Sequence, residues 1–140
     1  MNKYIICDFA RSSWGKSQTL LKVIDLLKEE NEPKTEKLID GYDKYAVFEL
    51  YEKRIVVITQ GDPDSHLEDC LTDAVIENAD FIVCASRSRG YTVDCIYNVA
   101  GKGYDIIWFS NLYADDKNSP CIKHLVEIAA DSIVKLLKTL

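Results

Sequence analysis

The sequence has no basic excess: 17 Lys and Arg stand against 23 Asp and Glu, a formal charge of −6. Chains that grip the phosphate backbone of nucleic acid carry a basic face, so nucleic acid is not an expected partner. A small phosphorylated ligand in a local basic pocket remains compatible with an acidic chain. The sequence also lacks any C-x-x-C pair. Its five cysteines, Cys7, Cys70, Cys84, Cys95 and Cys121, are odd in number, have no metal-ligand spacing and fall mostly in apolar stretches, which predicts reduced thiols rather than a disulfide or zinc framework. No apolar run approaches the length that crosses a bilayer. No charged-then-apolar leader precedes the first strand, and no repeat or low-complexity block interrupts the chain. The expectation is a cytoplasmic chain without a membrane partner. Its 140 residues, 47% of them apolar, suit one domain over 1–140 with its own core.

What is present alternates. Lys3 to Asp8 is short, apolar and isoleucine-rich, the mark of a buried strand. Leu20, Val23, Ile24 and Leu27 then follow the spacing of a helix with one buried face. "KEENEPKTEK" around Pro33 reads as a charged connection. "AVFELY" and "RIVVIT" are separated only by Glu52 and Lys53, which leaves room for an antiparallel hairpin and nothing longer. Ser65 with Glu68 forms a capping-box signature before a stripe of Leu67, Cys70, Leu71 and Ala74. "DFIVCA" is another buried strand. Val93, Ile96, Tyr97 and Ala100 mark a helix ending near Gly101 and Gly103, and "DIIWFS" is the last strand. Ser119 and Pro120 then open a C-terminal helix striped by Ile122, Leu125, Val126, Ala129, Ile133 and Leu136.

The order β-α-β-β-α-β-α-β-α predicts a three-layer αβα fold with a mostly parallel sheet of about five strands, one of them an antiparallel edge strand. Ligands of such folds bind beyond the carboxyl ends of the strands.

One stretch carries chemistry. Ala10 to Ser17 spells A-R-S-S-W-G-K-S, the Walker A pattern with alanine for its first glycine, between a strand and a helix. A loop there turns successive N–H groups inward, and the helix adds unpaired amides and a positive dipole end. The bland alternative is a loop that only caps a helix. On this motif and element order the chain resembles a small P-loop NTPase. The hairpin before the second core strand resembles the arrangement in small GTPases. Arg11 instead occupies the position of the signature lysine in the deviant Walker A loops of the MinD and ParA-like group, where arginine is a departure.

The resemblance implies a phosphate cradle of Arg11, Ser12, Ser13, Trp14, Gly15, Lys16, Ser17 and Gln18. Gly15 allows close approach, Lys16 reaches the terminal phosphates, and the Ser17 hydroxyl ligates Mg²⁺. Arg11 either serves the phosphates or is solvated. The usual aspartate at the end of a second strand is missing, because Thr59, Gln60, Gly61, Asp62, Pro63 and Asp64 follow "RIVVI". Asp62 is the first candidate to replace it and Asp8 the second. Gln60 either orients an attacking water or merely ends a strand. Arg87 and Arg89 in "SRSRG" are candidate clamps on a transferring phosphoryl group, with a solvated loop as the alternative.

After the last strand, the spacing from Asn111 to Asp115 is one residue too long for the N-K-x-D base-reading motif and its lysine is absent, so adenine is expected over guanine. His66 and His124 carry no expected catalytic role, and Tyr42, Tyr45, Tyr51 and Tyr91 either stack on a base or, as aromatic residues of small sheet proteins mostly do, pack. The implied activity is Mg²⁺-dependent binding and hydrolysis of ATP or another nucleoside triphosphate. A small kinase and a non-catalytic nucleotide-binding module are the alternatives.

Overall fold

The computed structural model describes residues 2–9, 15–40, 43–59, 66–87, 90–116 and 118–140. Among them lie strands β1 (Lys3–Asp8), β2 (Thr35–Asp40), β3 (Asp43–Leu50), β4 (Lys53–Ile58), β5 (Phe81–Ala85) and β6 (Tyr104–Phe109), and helices α1 (Lys16–Lys28), α2 (Leu67–Ile76), α3 (Tyr91–Ala100) and α4 (Ile122–Thr139). They build one mixed sheet in the order β2-β3-β4-β5-β1-β6. The pairs β4–β5, β5–β1 and β1–β6 are parallel, and β2–β3 and β3–β4 are antiparallel.

This is α/β as expected, with a correction at one end of the sheet. A sixth strand, β2, begins inside the stretch that reads as a charged connection, so the antiparallel strand β3 is internal rather than an edge. The charge of β2 hides it from a hydropathy reading. Its ladder to β3 supplies the hydrogen bonds, and Glu36 is held by Lys28 at 2.6 Å and Lys44 at 3.0 Å. The β3–β4 hairpin turns one residue earlier than expected, at Tyr51 and Glu52, with Leu50 opposite Lys53. Both turn residues have positive φ, 56° and 62°, the backbone of a primed two-residue turn whose twist matches the strands.

Helices cover both faces. Leu20, Val23, Ile24 and Leu27 of α1 and Ala130, Ile133, Val134 and Leu137 of α4 pack with Ile6, Phe48, Val57 and Val83 on one side. Leu67, Cys70, Leu71 and Ala74 of α2 and Cys95, Ile96 and Val99 of α3 pack with Ile5, Val47, Val56 and Ile82 on the other. The stripes of α1 and α2 are those the spacing predicts.

That of α3 is rotated: Thr92, Cys95, Ile96 and Val99 are buried and Tyr97 points out to Trp108 at the sheet edge. On α4 the buried set moves to Val126, Ala129, Ala130, Ile133, Val134 and Leu137. The α2 cap is His66, one residue after Ser65, which lies outside the described residues, so Glu68 stands too early for the expected capping box. Ser119 and Pro120 do not open α4 as expected: its cap is Cys121, with no side-chain cap hydrogen bond, and the Ser119 hydroxyl accepts the N–H of Cys121 at 3.2 Å ahead of the helix. All five thiols are free, and only Cys121 is exposed. No helix among the described residues is long and apolar enough to cross a membrane.

Candidate functional site

Four chain segments meet where β1, β5 and β6 end and α1 begins. Gly15 caps α1 with φ 88° and ψ 22°, a left-handed backbone that residues with a Cβ rarely adopt. A Cβ at this position would also come within 2.8 Å of Val126 Cγ2 on α4. Glycine is therefore required twice, by conformation and by close approach. Its carbonyl accepts the Thr19 N–H at 2.7 Å and starts the helix.

Lys16, the first helical residue, is buried at 8% exposure. Its Nζ donates to the carbonyl of Ser86 at 2.9 Å. A cation at a helix N-terminus sits at the unfavourable end of the macrodipole, and burial adds a desolvation cost. The first turn of α1 contains no acidic residue. Ser17 Oγ donates to the Thr59 carbonyl at 3.2 Å, which brings the end of β4 to α1 although β5 lies between β4 and β1. Gln18 is exposed, with its Oε1 near the space above Gly15.

The Ser86–Arg87 turn is tied at each of its main-chain polar groups. Ser86 N–H donates to the Asp8 carbonyl at 3.0 Å, and the Ser86 carbonyl accepts Lys16. Arg87 N–H donates to Thr92 Oγ1 at 3.0 Å, and the Arg87 carbonyl accepts the Ser86 hydroxyl at 2.8 Å. Arg87 itself is exposed, one residue from the carbonyl that holds Lys16.

Behind this turn, Cys7 donates to Ser86 Oγ at 3.3 Å and stands opposite Cys84 across the β1–β5 ladder. The hydrogen bond from Cys84 holds the Cys7 thiol below its usual range, against burial and the Asp8 carboxylate, with help from the Lys16 ammonium. The same bond and burial push Cys84 well up. Asp8 is buried at the end of β1. On the far side, Asn111 Nδ2 donates to Thr19 Oγ1 at 2.8 Å, and both residues are buried. The chain leaving β6 is thereby pinned to α1.

Of the residues the sequence singles out, Gly15, Lys16, Ser17, Asp8 and Arg87 converge at this end of the sheet. Arg11, Ser12, Ser13, Trp14, Gln60, Asp62 and Arg89 lie outside the described residues. Among the described residues no group of three or more His, Cys, Asp or Glu gathers as metal ligands. His66 and His124 are exposed.

Ser86, Thr92, Thr19 and Asn111 are the contributions that sequence reasoning misses. Their one visible signal is a small polar residue at a strand's carboxyl end or within a helix's buried stripe. No family model matches the chain, and no curated protein or solved structure matches it.

Proposed function

We propose that this chain is a small P-loop NTPase that binds a nucleoside triphosphate, ATP in the first place, with Mg²⁺ and hydrolyses it. The observation that carries the reading is Lys16: a buried ammonium at the positive end of α1, one residue after a left-handed glycine, with its Nζ on the Ser86 carbonyl. An anion at that helix end offsets both the dipole and the desolvation of the lysine.

In this reading the main-chain N–H groups that open α1 and the Lys16 ammonium bind the β- and γ-phosphates. The Ser17 hydroxyl is the first oxygen donor for Mg²⁺, and Asp62 or the buried Asp8 supplies the carboxylate. Mg²⁺ when bound neutralises charge that develops on the phosphate oxygens. Gln60, the residue after Thr59 in sequence, is the candidate to orient an attacking water. The protein's part is positioning plus charge stabilisation. Phosphate release from Mg²⁺–ATP that is lost in Lys16→Ala tests this; absence of release in the wild type sinks hydrolysis.

A second reading, a small kinase, is favoured by one contact. The carbonyl that holds Lys16 belongs to the residue before the exposed Arg87, which suits a clamp on a transferring phosphoryl group. ADP formation that requires an added acceptor and falls in Arg87→Ala would select transfer over hydrolysis.

A further inference from the structure

The two edges of the sheet are built differently. At one edge, β2 carries Glu36, Lys37 and Asp40, is laced by ion pairs from Lys28, Lys44 and Asp73, and shifts register between Leu38 and Asp40. Charge, lysine and a bulge are devices that keep an edge from pairing with another chain. At the other edge, β6 reads Tyr-Asp-Ile-Ile-Trp-Phe, with no lysine, no proline and one charge. Among the described residues it pairs with β1 only.

The direction of its free groups follows from the ladder. The Phe109 carbonyl accepts the Phe9 N–H at 2.9 Å, so residues 105, 107 and 109 turn their main-chain groups to β1. By the two-residue period of a strand, Tyr104, Ile106 and Trp108 turn theirs outward. Trp108 is 38% exposed and Tyr97 beside it 56%. With Phe9 they form an aromatic group whose ring centroids lie 5.8 and 5.9 Å apart.

We propose that β6 is a self-association edge, pairing antiparallel with β6 of a second copy of this chain about a two-fold axis at Ile107. In this register the outward residues meet. Ile106 of each copy faces Trp108 of the other in a hydrogen-bonded pair that exchanges both N–H···O bonds. Each such pair sets an aromatic ring against a β-branched side chain, a favourable cross-strand combination. Ile107 meets Ile107, and Asp105 falls opposite Phe109, so the single charge of the strand never faces its own copy.

An isologous contact of this kind closes at two chains. Because the paired strands run in opposite directions, the two Lys16 sites lie at opposite ends of the joined sheet. The dimer therefore stands apart from the phosphate reading and forms equally in Lys16→Ala.

Sedimentation velocity of the full chain across a dilution series tests this. The wild type and Lys16→Ala are expected at the mass of two chains, dissociating on dilution. Two variants are expected at the mass of one: Ile106→Pro, which removes an outward N–H and spares the β1 ladder, and Trp108→Lys, which places a charge on the edge. Leu38→Lys on the exposed side chain of the opposite edge is expected to leave the dimer unchanged. Circular dichroism checks that each variant is folded, and if Ile106→Pro is not, Trp108→Lys decides. A wild type that stays at one chain throughout overturns the proposal. So does a folded Trp108→Lys that remains a dimer.

Discussion

Lys16 Nζ and the Ser86 carbonyl oxygen are 2.9 Å apart across 70 residues of sequence, and that contact joins the start of α1 to the turn that carries Arg87. A phosphate that draws the ammonium toward itself competes with the Ser86 carbonyl. Binding of Mg²⁺–ATP is therefore expected to change amide exchange of the Arg87 N–H severalfold, although this amide is bonded to Thr92 and not to α1. Hydrogen-exchange mass spectrometry over Phe81–Thr92 measures it. The change should vanish in Lys16→Ala, and persistence there would separate the turn from the lysine.

Gly15→Ala is expected to destabilise the unliganded chain by about 1–3 kcal/mol, combining left-handed strain with a steric clash. The added Cβ meets Val126 at 2.8 Å, so Val126→Ala in the same chain should recover the steric part and leave the conformational part. Thermal or denaturant unfolding of the two single variants and the double variant reads this directly. Full recovery would show that φ 88° costs nothing here.

Asn111 and Thr19 form a buried side-chain hydrogen bond at 2.8 Å. Removing one partner of such a pair costs about 1–3 kcal/mol. Thr19→Val and Asn111→Ala should each destabilise, and the double variant should lose less than their sum by about 1 kcal/mol. Strict additivity in a double-mutant cycle would mean that the loop after β6 is not held by this bond.

Glu36 on β2 carries the pH dependence that can be assigned most plainly. Its hydrogen bond from Lys28, helped by Lys44, holds its carboxyl below the ordinary value of 4.5. A carboxyl depressed in the folded state stabilises above its unfolded value, and that contribution disappears as pH falls through the folded value. Stability owed to Glu36 is thus complete at neutral pH and is lost below about pH 4.5. For a pair this exposed it amounts to about 1 kcal/mol or less. Glu36→Gln should lower the melting temperature at pH 7 and narrow its gap to the wild type in acid. A gap independent of pH would contradict the assignment.

The stripes of α1 and α2 were legible because each packs one face squarely on the sheet, which the 3.6-residue period records. The α3 stripe misleads because Tyr97 packs on Trp108 at an open edge, where a ring can be in contact and still half in water. β2 escapes a hydropathy reading since an edge strand protected by Glu36 and Lys37 has the composition of a linker, and its ladder with β3 leaves no local mark.

Within the candidate site, Gly15, Lys16 and Ser17 were legible as a unit because the chemistry that needs them is local: a turn, a cation and a hydroxyl at one helix start. Ser86 and Asn111 were not. Each acts through a contact with α1 from 70 or 92 residues away, which periodicity and short motifs do not encode.

Calorimetric titration of Mg²⁺–ATP into the wild type and into Lys16→Ala tests the phosphate-binding account most directly. The account predicts saturable binding by the wild type, weakened about tenfold or more when the buried ammonium is removed, with the variant still folded by circular dichroism. Equal affinity in the two chains, or no binding of ATP or GTP by the wild type, would contradict it.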